Sequence, residues 1–208
     1  MCIRDSIISD RAFSNDKSKV TKFASKYIDG MHEAGMKSTA KHFPGHGGVH
    51  EDSHIDLPVD DRSLEELLQN DIEPYLKLKG KIDAVMCAHV LFSSIDKNIP
   101  SYSKFWIQKI IRNKLDFDCI VFSDDLSMYG AGEESYYSKT LKSLNAGCDM
   151  VLICNKRNHL KEVLDNLEKS SIKLSNKLSN MKKYKDVSWN DLNQDKRALN
   201  IRELLSKI

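Results

Sequence analysis

A chain of 208 residues, 40% of them hydrophobic, can bury one sizeable core or supply most of a larger one. Its 32 lysines and arginines stand against 30 aspartates and glutamates, so no global field exists to hold nucleic acid or an anionic membrane. No apolar run approaches the roughly 20 residues of a membrane span, and the first residues lack a signal-peptide core, so a cytoplasmic setting follows by default.

In chain order, residues 16–34 carry helical spacing and end at Gly35, after which residues 36–42 (MKSTAKH) read as a first strand. Residues 63–79 read as a helix opened by a capping box, with Ser63 three positions before Glu66. A second strand over 84–90 (AVMCAHV), a helix over 103–114, and a third strand over 119–123 (CIVFS) follow. A helix over 135–146 stops at Gly147, and 149–154 (DMVLIC) closes the series as a fourth strand. Short apolar runs alternating with longer amphipathic ones are the signature of βα units feeding a parallel sheet. The tail then changes character. Residues 169–185 contain no acid, and Leu174, Leu178 and Met181 recur at helical spacing, as on a surface helix with a solvated basic face. Five cysteines (Cys2, Cys87, Cys119, Cys148 and Cys154) form no CxxC, which points to reduced, buried thiols, and Cys87 and Cys154 are assigned to core packing.

In a β/α barrel the loops after the strand carboxyl ends build the site, and those ends hold Lys41, His42, His89, Asp124, Asp125 and Asn155. The segment KHFPGHGGVHEDSHIDLP at 41–58 is the densest in reactive side chains. His42, His46, His50 and His54 fall four apart, as metal ligands on a helix would, but Pro44, Gly45, Gly47 and Gly48 break any helix there. No metal site is assigned, and PGHGG lacks the spacing of a phosphate-binding loop. Asp52 and His54 suit each other better: a carboxylate two residues from an imidazole can orient it and tune its proton affinity. Asp124 ends the apolar strand of VFSDDL, where a carboxylate would point into a barrel mouth and can be a nucleophile; Asp125 suits a turn or cap, and chemistry alone leaves the choice between the two adjacent acids open. Lys41 and His42 close another strand as donors for sugar hydroxyls or an amide carbonyl. His89 fits a structural role.

Together KHFPGHG, DSH, AHV and FSDDLSM, with the linking segments YIDGMHEAGMK and AGCDMVLICN, resemble the β-N-acetylhexosaminidases of glycoside hydrolase family 3. The resemblance runs over most of residues 8–167. It implies an α/β fold, the C-terminal portion of a (β/α)8 TIM barrel, incomplete in this chain. Residues 1–6 (MCIRDS) match nothing in the family and read as a foreign start on a truncated frame. Residues 7–167 then form a partial catalytic domain and 168–208 a helical tail. The resemblance places the nucleophile on Asp124, the acid/base on His54, its assisting partner on Asp52, and sugar binding on Lys41, His42 and Arg11. It implies retaining hydrolysis of β-linked N-acetylglucosamine from anhydro-muramyl sugars in peptidoglycan recycling, with no cofactor. The partner is the sugar or muropeptide, with neither nucleic acid nor membrane, and the full-length protein is expected to be a monomer. Two other outcomes stay open: a catalytically silent fragment with residual sugar binding, and a phosphorylase that passes the glycosyl group to phosphate.

Overall fold

The computed structural model describes residues 8, 11–49, 56–173 and 175–207. Helix α1 (Lys17–Glu33) begins at Asp16, whose carboxylate accepts from the backbone N–H groups of Ser18 and Lys19, at 2.8 Å each. It presents Val20, Ala24 and Ile28 to the core at the spacing of one helix face. Strand β1 (Thr39–Phe43) follows, then the short β2 (Val59–Asp60). The helix expected over 63–79 is two helices, α2 (Leu64–Gln69) and α3 (Glu73–Lys77), because Pro74 has no N–H to donate toward Asn70 and its ring crowds that carbonyl. The capping box at Ser63 and Glu66 is present.

Strands β3 (Ala84–Cys87) and β4 (Leu91–Phe92) are followed by a π-helical segment over Phe105–Lys114, then β5 (Ile120–Asp125), α4 (Tyr136–Ala146), β6 (Met150–Leu152) and α5 (Arg157–Glu168). Four strands pair in parallel in the order β1-β3-β5-β6. Each consecutive pair is joined across a helical connection, as parallel pairing requires. The aromatic centre of the core lies between sheet and helices, where Trp106 stands edge-on to Phe43, Phe92 and Phe105. Among the described residues β1 and β6 have no further strand beside them, so the sheet is an open arc of the eight-strand barrel.

The two ends of the arc differ in chemistry. At the amino ends, Asp83 accepts from Ser38 N at 2.9 Å and faces His32 at 2.6 Å and Lys37 at 3.0 Å. Asp149 accepts from Val121 N and Arg112 Nη2, both at 2.8 Å. The tail crosses this end: Ser175 Oγ donates to Asp149 Oδ1 at 2.5 Å, Lys177 pairs with Asp118, and Tyr184 N donates to Gly35 O at 3.2 Å.

The expected basic surface helix over 169–185 is not continuous. One 3-10 stretch covers Asn176–Met181, followed by α6 (Trp189–Gln194) and α7 (Lys196–Leu205), while Leu174 lies outside the described residues. Contacts to three strand-end loops override local helix propensity there. Cys87, Cys119 and Cys148 are buried free thiols, but Cys154 is exposed, correcting its assignment to the core. It lies beyond Leu152, the last paired residue of β6, where the chain has left the sheet.

Candidate active site

The carboxyl ends of the strands gather the other set of polar groups. Asp124 and Asp125 end β5, and their carboxylates are used differently. Asp125 accepts from Ser127 N at 2.9 Å, Ser127 Oγ at 2.6 Å and Cys154 N at 2.9 Å, so it ties the β5 and β6 loops together. Burial opposes its ionisation, but these donors outweigh burial and hold its carboxyl below the usual range. Asp124 keeps Oδ1 on the backbone N–H of Asp125 at 2.8 Å and turns Oδ2 inward toward His42 Nε2 at 3.6 Å. That distance exceeds a hydrogen bond, so Oδ2 is not consumed by its neighbour. Burial raises the Asp124 carboxyl above its ordinary value, against the opposing pull of the Asp125 N–H and the charge of Lys41.

His42 and Lys41 come from β1 on successive residues; Lys41 is exposed and His42 is half-buried. The Lys41–His42 and Phe43–Pro44 peptides are both cis, and the register of β1 against β3 shifts between Lys41 and Phe43. Burial pushes His42 well below the ordinary imidazole range, and the nearby His46 and Lys41 add to this. The His46 ring lies edge-on to His42 with centroids 5.6 Å apart and is itself buried, at 3% exposure. Beyond the rejected metal ladder, sequence reasoning assigned His46 no role, since one histidine among glycines carries no signal of what it packs against. His89 is fully buried beside Tyr102, as its structural reading expects.

Arg11, Lys41 and His42 line one cavity of about 620 Å³, together with Phe13, Tyr27 and Met31. This cavity lies along Lys37 to His42, on the flank of β1 that no strand covers among the described residues, and its lining is mostly apolar. Asp124 does not line it. Asp52 and His54, with His50, lie outside the described residues. Among the described residues no three His, Cys, Asp or Glu side chains gather as a metal cage.

The sequence model of the glycosyl hydrolase family 3 N-terminal domain matches residues 3–183. The chain belongs to glycosyl hydrolase family 3. Curated relatives in that family include the beta-hexosaminidase of Haemophilus influenzae (strain ATCC 51907 / DSM 11121 / KW20 / Rd). It is 44% identical over 206 residues, covering 95% of this chain and 59% of the relative. That of Idiomarina loihiensis is 49% identical over 160 residues, covering 76% and 48%. The chain thus spans between about half and three fifths of the length of these relatives. Among solved structures, NagZ from Neisseria gonorrhoeae in complex with N-trifluoroacetyl-D-glucosamine superposes with a TM-score of 0.84. It is 31% identical and covers 98% of this chain and 62% of that one. The same protein has been solved in complex with zinc ion, with a TM-score of 0.81, 30% identity, and coverage of 96% and 60%. In this family 3 chain His42 and Asp124 offer two donors, which alone do not make a cage.

Proposed function

We propose that this chain carries the chemistry-bearing part of a retaining β-N-acetylglucosaminidase acting on anhydro-muramyl sugars or muropeptides in peptidoglycan recycling. The single observation that supports it most is the Asp124 carboxylate: one oxygen is held by the backbone, the other faces the concave side of the arc. Rigid strand backbone places it, as a nucleophile that must reach an anomeric carbon in line requires.

Asp124 Oδ2 attacks the anomeric carbon, and the bond to the leaving sugar oxygen breaks as His54 gives that oxygen its proton. Water then attacks the same carbon, His54 takes the water proton, and the bond to Asp124 breaks. Asp52 orients the His54 imidazole through both steps. Lys41, His42 and Arg11 hold the sugar, and the charge of Lys41 favours the ionised form of Asp124. No step is routed through a metal. A cytoplasmic location is part of the same proposal, and among the described residues no helix is long and apolar enough to cross a membrane.

The test is turnover of an aryl N-acetylglucosaminide by the 208-residue chain, with a 5-fluoro glycosyl donor to trap the intermediate. Mass spectrometry is expected to find the glycosyl group on Asp124. A label elsewhere, or none with turnover intact, overturns the nucleophile. A second reading, sugar binding without turnover, is favoured by one observation: β1, which carries Lys41 and His42, lacks a strand on its outer flank among the described residues. Absent turnover with calorimetric binding of N-acetylglucosamine would select it.

A further inference from the structure

Residues 45–49 follow β1 directly and place His46 beside His42, yet they belong to no helix or strand, so other contacts must fix them. Those contacts are with an ion cluster reached from β2 and α2. Asp60 and Asp71 are 4% and 5% exposed, and Arg62 bridges them. Its Nη2 and Nε donate to the Asp60 carboxylate at 2.7 and 3.0 Å, and its Nη1 donates to Asp71 Oδ2 at 2.8 Å. The Arg62 backbone N–H adds a further bond to Asp60 Oδ1 at 3.0 Å. One planar guanidinium therefore sets the relative orientation of two carboxylates that would otherwise repel each other.

The loop backbone rests on both ends of this cluster. A Cβ added at Gly45 would lie 2.4 Å from Asp71 Oδ1, and one at Gly48 would lie 2.3 Å from Arg62 Nη2 and 2.7 Å from Asp60 Oδ2. Such approaches are open only to glycine. His46 sits between these two seats, and Val49 just beyond them is buried in the core at 3% exposure.

We propose that Arg62 is a positioning residue: the clasp it forms with Asp60 and Asp71 seats Gly45 and Gly48 and so holds His46 edge-on against His42, which faces Asp124. The proposal rests on the reading of His42 and Asp124 as the site. Without Arg62, two buried carboxylates lose the guanidinium that bridges them, and the seat for both glycines is lost. Lysine restores the charge but cannot span both carboxylates with a fixed fork.

The test compares the 208-residue chain with its Arg62→Lys, Arg62→Ala and Asp71→Asn variants by hydrogen exchange, imidazole NMR and steady-state kinetics. In Arg62→Ala, exchange over residues 44–49 is expected to rise about tenfold while β3 and β5 stay within about twofold. The His42 and His46 imidazole signals shift, and kcat falls about tenfold with KM within about threefold, Arg62→Lys being intermediate. Asp71→Asn, which keeps the Arg62–Asp60 pair, carries the same local expectation should Arg62→Ala fail to fold. Unchanged exchange and imidazole signals overturn the proposal, as does loss of protection spread evenly over the chain. Absence of turnover in the unsubstituted chain overturns the hydrolase reading instead, while exchange and NMR still decide the clasp.

Discussion

Asp124 Oδ2 and His42 Nε2 stand 3.6 Å apart although β3 lies between their strands. Neighbouring strands are about 4.8 Å apart, so side chains two strands removed meet only when the sheet is curved and both point to its concave side. The curvature of an incomplete barrel therefore suffices to bring the two groups together, and Asp124 is half-buried there as a result. A raised carboxyl binds its proton more tightly folded than unfolded, so stability is lost as pH rises through that window and the deficit persists at neutrality. Asp124→Asn removes the deficit. Turnover is expected to fall about a thousandfold or more, while the melting temperature at pH 7 rises, by about 2–4 °C for each kcal/mol relieved. Thermal melts and initial rates check both; retained turnover removes Asp124 as nucleophile.

His42 shifts the other way. Burial disfavours its imidazolium, and His46 and Lys41 reinforce this, so folding holds His42 neutral. Stability on its account is present above the unfolded value of about 6.5 and is lost as pH falls below it, at up to about 1.4 kcal/mol per unit. Denaturant midpoints measured at pH 7.5 and 5.5 are expected to separate widely in the unsubstituted chain and to converge in His42→Gln. Equal pH slopes in the two proteins would mean that the imidazole takes up its proton without unfolding.

At the opposite end of the strands, Asp83 anchors Ser38, His32 and Lys37 to the start of β3. Burial works against its charge, but the Ser38 N–H and the His32 and Lys37 contacts outweigh burial and hold it at about 2. A depressed carboxyl contributes stability above its unfolded value of about 3.9, lost as pH falls toward 2. Asp83→Asn is expected to cost about 2 kcal/mol at pH 7, with an acid limb less steep than in the unsubstituted chain. Denaturant titrations between pH 2 and 7 give both quantities, and an unaltered limb refutes the assignment.

The elements that were legible in the sequence are those where period and punctuation agree. Ser63 caps a helix as its box predicts, Asp16 and Ser135 cap the helices whose runs they open, and Gly147 ends one in the left-handed region at φ 116. The apolar runs before Asp124 and His89 are parallel strands. Local patterning was silent on contacts made across the chain. Nothing near Val59 signals its pairing with Leu91, nor does any spacing reveal that Asp71 lies beneath Gly45 and Arg62 beneath Gly48. The alternating pattern placed Lys41, His42 and Asp124 at strand ends, and they lie on β1 and β5 of one arc, while Asp52 and His54, assigned by the resemblance, lie outside the described residues.

Two glycines at the end of α1 separate a conformational requirement from a merely tolerated residue. Gly30 lies within α1 with nothing within 4 Å of an added Cβ. Gly30→Ala therefore gains helix propensity without a clash and is expected to stabilise the chain by about 0.5–1 kcal/mol. Gly35 carries φ 77, and an added Cβ would lie 2.8 Å from Lys185 N and 2.9 Å from Lys185 Cα. Those atoms are backbone and cannot swing aside, and the same stretch holds Tyr184 N on Gly35 O at 3.2 Å and Lys37 Nζ 5.3 Å above the Tyr184 ring. Gly35→Ala is thus expected to destabilise by about 1–3 kcal/mol and to raise hydrogen exchange over residues 182–187 ahead of the sheet. Melting curves are expected to give opposite signs for the two variants, and a Gly35→Ala loss without early exchange over residues 182–187 would assign it to the positive φ alone and not to this close approach.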